Sequence, residues 1–169
     1  MRRLAMRSPH PETDRMPVLA LHVDVAAPAE DTWRAAVDWA TQGEWMLGTT
    51  VTPTHLDGQG VGGRLEAFSG VGRLGFLDTM EITLWQPPRA CHVLHTGRVV
   101  RGTGQFEVEP RGDGRSRFHW REDLDLPLGA LGRLGWLVVR PLFAYGVRVS
   151  LRRFARRVES RRGAVPDPV

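Results

Sequence analysis

The last part of the chain differs from the rest in the spacing of its apolar residues. Up to residue 125 apolar and polar residues mostly alternate, which places one set of side chains on one face of a β-strand. From residue 128 to residue 160 apolar residues follow one another in steps of mostly three and four, which builds a stripe along an α-helix. The predicted helical stripe consists of Leu131, Leu134, Val138, Leu142, Tyr145, Val149 and Val158.

The alternating part predicts a strand, two short helices and six further strands. The first strand is predicted over 18–26; Pro28 then opens a helix, and a second short helix is predicted over 41–46. The other strands are predicted over 50–56, 63–69, 77–86, 89–96, 102–110 and 115–125. Short connections with turn residues, such as Asp57-Gly58, join these strands, so neighbouring strands should pair antiparallel. This order indicates one α+β domain.

The long helix contains residues that disfavour a helix. Pro141 removes a backbone donor, so we expect a kink or a break there, and three glycines weaken the first turns. The stretch 126–139 is therefore expected to be a loop or a short separate helix. A helix of this length needs a long apolar partner, which a curved sheet gripping the helix supplies. We expect a cavity between the two, because such a grip leaves space that a ligand can fill.

Length and composition indicate an ordinary globular protein. The chain has 169 residues, of which 41% are hydrophobic and 25% charged. We expect one domain over 17–162, with disordered tails at 1–16 and 163–169. A signal peptide pattern and an apolar stretch of about 20 residues are both missing, so we expect a cytoplasmic protein. The single cysteine, Cys91, excludes an intramolecular disulfide and a multi-cysteine metal site.

The basic residues carry less information than the high pI suggests. All 23 are arginine and the net charge is only +4. Several follow one another on the long helix, and we interpret them as a solvated outer face: Arg148, Arg152, Arg153, Arg156 and Arg157. Weak contact with an anionic membrane surface or with an acidic partner is the alternative. Nucleic acid is disfavoured, because aromatic residues do not alternate with these arginines.

Two apparent motifs do not predict a site. The G-x-G-x-x-G matches that begin at Gly58 and Gly70 are each followed by a strand pattern, whereas a dinucleotide site needs a helix there. His92 and His95 lie three positions apart on a strand, so they point to opposite faces and cannot share a metal ion. We therefore expect neither a metal nor a cofactor.

Three polar residues share the inward face of the predicted strands with apolar neighbours. They are Asp78, Glu122 and, if His92 points outward, His95. A carboxylate in apolar surroundings must be paired, hydrated or protonated. Three interpretations stay open: contact with water or an arginine at a strand end, contact with a ligand hydroxyl or carbonyl, and acid–base catalysis.

The segments 23–46, 75–97 and 102–129 carry a family resemblance. The chain resembles the polyketide cyclase/dehydrase-like branch of the START/Bet v 1-like (SRPBCC) superfamily, the helix-grip proteins, from about residue 18 to residue 160. The resemblance implies a helix-grip fold: a seven-stranded curved antiparallel sheet around a long C-terminal helix, with two short helices after strand 1. It implies no single chemistry, because members include aromatases, cyclases, lipid carriers and hormone receptors.

The function that we expect is binding of an apolar small molecule, such as a lipid, polyketide or isoprenoid-like compound, in the cavity between the sheet and the helix. A cyclase or dehydratase is the first alternative, with Asp78, His95 and Glu122 as acid–base candidates. A membrane-surface or partner-binding module that uses the arginine-rich helix is the second. The expected ligand contacts are Trp45, Met80, Ile82, Phe106, Phe118, Trp120, Glu122, Leu142, Tyr145 and Val149.

Overall fold

The structure is a computed structural model that describes residues 18–98, 100–125 and 129–163. For 129–134, 136 and 163 only the backbone is described. The predicted tails at 1–16 and 163–169 lie outside the described residues, except for the backbone of Gly163, which ends α2. The α-helices are α1 (Ala29–Ala36) and α2 (Gly129–Gly163), and two 3₁₀ segments span Trp39–Glu44 and Leu56–Gly58. The strands are β1 (Val18–Val25), β2 (Thr49–His55), β3 (Arg64–Val71), β4 (Leu74–Gln86), β5 (Ala90–His95), β6 (Gly102–Gly112) and β7 (Arg115–Leu124).

The seven strands form one antiparallel sheet in the order β1-β7-β6-β5-β4-β3-β2. The predicted α+β helix-grip architecture is confirmed: a curved sheet, short helices after strand 1 and a long C-terminal helix. The β3–β4 hairpin extends further than predicted, because Gly70 pairs with Gly75 and Val71 with Leu74. A Cβ on either glycine would overlap the opposite backbone. These glycines of the second G-x-G-x-x-G match therefore allow a tight hairpin.

The predicted helix over 41–46 is instead a 3₁₀ segment that begins at Trp39. Side-chain hydrogen bonds to residues outside the segment hold it in place. Gln42 Nε2 donates to the Ala36 carbonyl at 2.7 Å, and Trp39 Nε1 donates to the Gly58 carbonyl at 2.8 Å. Because both side chains are buried, these bonds tie the segment to α1 and to the loop after β2.

Of the kink or break predicted at Pro141, the break is wrong, because helix α2 runs through this residue as one element. The predicted loop or separate helix is also wrong from 129 to 139. Residues 126–128 of that prediction lie outside the described part. The missing donor of Pro141 leaves the Leu137 carbonyl without its helical partner. Leu137 and Pro141 are both exposed, so water can satisfy this carbonyl. At ~1.5 Å per residue, α2 is about 50 Å long.

The predicted apolar stripe of α2 is wrong in its middle part. Val138, Leu142 and Tyr145 are exposed. The face that packs on the sheet is a second stripe with the same spacing: Ala144, Val147, Leu151, Phe154, Ala155 and Val158. Phe154 is fully buried, with its ring centroid 4.6 Å from that of Phe118 and 4.9 Å from that of Trp45. The packed core therefore lies under the C-terminal half of α2.

The arginines at the C-terminal end of α2 attach the helix to the rest of the domain. Arg157 forms an ion pair with Glu44, and Arg161 Nη1 lies 3.8 Å from Asp38 Oδ2. Arg162 Nη1 donates to the carbonyls of Ala26 and Gly114 at 3.3 and 3.4 Å. These contacts hold this end of α2 beside the β6–β7 turn.

Candidate functional site

A cavity of about 750 Å³ lies between the inner face of the sheet and the middle of α2. It is open to solvent at a mouth where lining residues of the helix and the β3–β4 hairpin are exposed: Phe76, Leu142 and Tyr145. Apolar side chains form most of the wall, among them Leu65, Met80, Val93, Phe106, Trp120 and Phe143. Volume and lining are those of a small-molecule pocket.

A buried cluster of three titratable side chains interrupts this apolar wall. His95 Nδ1 lies 2.7 Å from Asp78 Oδ2, and His95 Nε2 lies 3.1 Å from Glu122 Oε2. Trp120 Nε1 donates to the other oxygen of Glu122 at 2.6 Å. Each member of the cluster is less than a tenth exposed and lines the cavity. The sheet thus places a cluster of titratable groups on the wall of a mainly apolar space.

The sheet register explains how these residues meet. Asp78 and His95 lie on adjacent strands, β4 and β5, two rungs apart, since His95 pairs with Met80. Glu122 lies on β7, and β6 separates it from β5; its partner on β6 is Gly104. A Cβ on Gly104 would lie 3.2 Å from both Glu122 oxygens. The absence of a side chain at this position lets Glu122 reach across β6 to His95.

The two carboxylates change the protonation of the histidine. Burial alone would lower the pKa of His95, but hydrogen bonds to Asp78 and Glu122 and their negative charge outweigh burial and raise the pKa from 6.5 to about 9. At neutral pH the ring is an imidazolium that donates Nδ1–H to Asp78 and Nε2–H to Glu122. The cluster therefore holds one proton on His95 beside the cavity.

One oxygen of the cluster has no partner in the described part of the chain. Asp78 Oδ1 is buried and accepts no hydrogen bond there. It lies beside Gly97, where a Cβ would approach it to 3.3 Å. A buried acceptor without a donor costs free energy of desolvation, and the hydrogen bond from His95 to Oδ2 offsets part of this cost.

The residues expected to bind a ligand fall into two groups. Six of the ten line the cavity, and so do the other two acid–base candidates, Asp78 and His95. Trp45, Ile82 and Phe118 are fully buried in the packed core, outside the lining, and Val149 is half-buried outside it. The six lining residues are Met80, Phe106, Trp120, Glu122, Leu142 and Tyr145.

The second wall of the cavity comes from strands that the sequence analysis did not assign to the site. Leu65, Ala67 and Ser69 of β3 line it, as do Val51 of β2 and Trp39. The pairing of β3 with β4 identifies these residues, because Leu65 lies opposite Met80 and Ala67 lies opposite Asp78. In an antiparallel pair, directly opposite residues share a face.

Metal binding and nucleophilic catalysis are two further kinds of chemistry to consider for the residues of this cavity. Among residues 18–98, 100–125 and 129–163, histidine, cysteine, aspartate and glutamate do not form a group of three or more suited to a metal ion. Cys91 also lines the cavity, and burial raises its pKa to about 12. The neutral thiol is a poor nucleophile at physiological pH.

The chain matches a family model described as polyketide cyclase / dehydrase and lipid transport over residues 16–159. A search of curated proteins gave no match. Similar solved structures include TTHA0849 from Thermus thermophilus, at 17% identity and a TM-score of 0.72, covering 86% of this chain and 99% of that one.

Another similar structure is the Zhui aromatase/cyclase from Streptomyces sp. R1128, at 16% identity and a TM-score of 0.72, covering 91% of this chain and 99% of that one. A third is the di-domain aromatase/cyclase BexL, at 17% identity and a TM-score of 0.65, covering 85% of this chain and 47% of that one. At these identities the likeness shows a shared fold.

Proposed function

This chain belongs to the polyketide cyclase / dehydrase and lipid transport family, and we propose that it binds an apolar small molecule of the lipid, polyketide or isoprenoid type. The ligand would occupy the cavity between the sheet and α2. The observation that carries this proposal is the combination of about 750 Å³ of apolar space with one polar cluster on its wall. Apolar walls supply affinity, and a few convergent polar groups supply orientation.

The charge of the cluster favours particular ligands. An imidazolium between two carboxylates carries a net charge of −1, so a ligand hydroxyl can donate a hydrogen bond to Glu122, whereas a ligand carboxylate would be repelled. Trp120 and His95 already hold the Glu122 carboxylate in place. We therefore expect the ligand to be a neutral molecule with a hydroxyl group at the end that reaches the cluster.

Native mass spectrometry of the purified protein, followed by organic extraction, tests this proposal. We expect a neutral apolar compound bound to the wild type at one molecule per chain. Ala67→Trp would fill the cavity and remove the bound compound, because Ala67 is buried in its wall. Val61→Trp is the control, since Val61 is exposed and lies outside the lining.

Circular dichroism of both variants verifies that they are folded. A compound that stays bound to folded Ala67→Trp would contradict binding in this cavity. Failure of the wild type to bind any compound, either as purified or after incubation with apolar hydroxylated compounds, would also contradict the proposal.

The arrangement of Asp78, His95 and Glu122 favours a second candidate function, a cyclase or dehydratase that acts on a polyketide-like substrate. In the dehydration of a β-hydroxy ketone, Glu122 would take the proton from the carbon next to the carbonyl. The hydroxyl would then leave as water with the proton that His95 holds, as the double bond forms. The proton on Glu122 returns to His95 Nε2 across their 3.1 Å contact and restores the cluster.

The benzaldehyde–acetone aldol adduct, which dehydrates to benzalacetone, is a probe for this chemistry. If the enzyme candidate is right, Glu122→Gln slows turnover by about 100-fold or more, because general acid–base catalysis contributes at least that much. Glu107→Gln is a matched control: it alters a second histidine–glutamate pair, which lies exposed on the outer face of the sheet. Turnover that is unchanged in both Glu122→Gln and His95→Ala would exclude these residues as the acid and base.

A further inference from the structure

Exposed apolar side chains of two separate elements surround the mouth of the cavity. On the β3–β4 hairpin, Val71 and Leu74 are each 85% exposed. On α2, Val138 and Leu142 are 75% and 74% exposed. Phe76 next to the hairpin turn and Leu142 both line the cavity, so the two elements flank the same opening. We call the following six residues the mouth surface: Val71, Leu74, Leu77, Leu137, Val138 and Leu142.

This exposure is unusual for a helix. Leu137, Val138 and Val139 are consecutive, so they point to different sides of α2, and all three are more than half exposed. An apolar helical segment normally turns at least one side toward a partner, because exposed apolar surface is costly in water. Among the described side chains of α2, the first buried one is Ala144. The segment from Leu137 to Leu142 therefore presents apolar surface that the described domain leaves exposed.

The charged residues of the two segments that carry the mouth surface are arginines. Arg73 is exposed at the hairpin turn, and Arg140 and Arg148 are exposed on α2. The sequence has no aspartate or glutamate between Glu66 and Asp78, nor between Asp125 and Glu159. The second interval contains seven arginines. Segments that combine exposed apolar side chains with positive charge alone complement an interface that is apolar inside and anionic at its surface.

We propose that the mouth surface docks on an anionic lipid bilayer, with the cavity mouth toward the lipid. The apolar side chains would enter the acyl boundary, and Arg73 and Arg140 would contact lipid phosphates. The protein would lie at the surface of the bilayer. Among the described residues, those of α2 included, no helix is long and apolar enough to cross a membrane. Apolar cargo could then pass between bilayer and cavity without crossing water.

A second copy of the chain fits this surface less well. Pairing two mouth surfaces would bring two sets of arginines together, and the same intervals supply no acidic residues to neutralise them. At the C-terminal end of α2, Arg157 and Arg161 already contact Glu44 and Asp38. The bilayer contact is therefore assigned to the earlier half of α2, where the apolar side chains are exposed.

Co-sedimentation with vesicles tests the docking. We expect binding to vesicles of phosphatidylglycerol and phosphatidylcholine, weaker binding as salt rises, and little binding to phosphatidylcholine alone. Val138→Asp or Leu74→Asp should each weaken binding by about tenfold, the effect of losing about 1.4 kcal/mol of apolar insertion. Arg73→Glu and Arg140→Glu should each weaken it by about fivefold or more, from about 1 kcal/mol per arginine.

Two control variants lie away from the mouth surface. Val61→Asp changes an exposed valine that precedes β3, at the end of that strand opposite the hairpin turn. Arg115→Glu changes an exposed arginine next to the β6–β7 turn. This turn contacts the C-terminal end of α2, away from the mouth surface. Both variants should bind the vesicles as the wild type does.

Three results would overturn the proposal. The first is failure to bind anionic vesicles at low salt. The second is binding that the mouth-surface variants and the control variants change equally. The third is a dimer in solution that Val138→Asp dissociates, which would assign the surface to a second copy. Because none of these variants alters a residue that lines the cavity, ligand binding in solution can succeed or fail independently of docking.

Discussion

Raising the pH from 6.5 to 9 should destabilise this protein through a single residue, His95. The ring has a pKa near 6.5 in the unfolded chain and about 9 in the folded protein, because Asp78 and Glu122 stabilise its charged form. The folded state therefore binds a proton more tightly than the unfolded state. The resulting stabilisation is fully present below pH 6.5 and is lost as the pH rises through 9.

The size of the effect follows from the two pKa values. They differ by about 2.5, which at 1.36 kcal/mol per pKa unit corresponds to a loss of about 3 kcal/mol in the free energy of unfolding. Cys91 does not contribute in this window. Its pKa is raised from 9.0 to about 12, so the stabilisation that it supplies is lost only above pH 9.

Urea unfolding at several pH values between 6 and 9 measures this loss, and NMR titration of the His95 ring measures the pKa directly. In Glu122→Gln the ring keeps only Asp78 as an anionic partner, so its pKa should fall and the loss should drop to roughly half. Wild type and variant should differ most near pH 6.5 and converge toward pH 9. Glu107→Gln, on the outer face, should leave the His95 pKa unchanged.

A free energy of unfolding for the wild type that stays constant between pH 6.5 and 9 would refute this reasoning. So would a loss in Glu122→Gln as large as that in the wild type. Either result would mean that the carboxylates do not hold the proton on His95.

Three further predictions concern the residues that support the site. Gly104→Ala should displace the Glu122 carboxylate and lower the His95 pKa measured by NMR. Gly135→Ala is the control, because a Cβ there meets open space and should leave that pKa unchanged. A His95 pKa that stays near 9 in Gly104→Ala would contradict the role of Gly104. Phe154→Ala should lower the free energy of unfolding, measured with urea, by about 3–5 kcal/mol, because Phe154 is fully buried. Phe76 is partly exposed, so Phe76→Ala should lower it by less than about 1 kcal/mol. Equal losses in the two variants would contradict the assigned core. Cys91 should react with iodoacetamide at pH 8 far more slowly in the folded protein than in urea, and equal rates would contradict its high pKa.

Strand alternation was enough to predict the inward face of the sheet. The parity of the predicted strands places Asp78, His95 and Glu122 inward, as the structure has them. Parity does not show which inward residues line open space and which lie in packed core. Ile82 and Phe118 are inward but fully buried. Phe118 lies in packed core because Phe154 of α2 and Trp45 cover it.

The orientation of α2 could not be predicted from spacing alone. The helix carries two apolar stripes with steps of three and four, one that includes Val138, Leu142 and Tyr145 and one that includes Val147 and Phe154. Periodicity gives both stripes similar weight, and only contact with the sheet decides between them. The packed stripe has Ala144 and Ala155, whose small side chains allow close approach, whereas the predicted stripe is exposed beside the cavity mouth.

The central claim is that an apolar cavity orients its ligand through the Asp78–His95–Glu122 cluster. The affinities of β-naphthol and naphthalene, measured by tryptophan fluorescence, test it most directly because the two molecules differ by one hydroxyl. The wild type should bind β-naphthol about tenfold more tightly than naphthalene, which corresponds to about 1.4 kcal/mol. Glu122→Gln should reduce this preference, and the control Glu107→Gln should keep it. Equal affinity of the wild type for both molecules, or a preference that persists in Glu122→Gln, would contradict the claim.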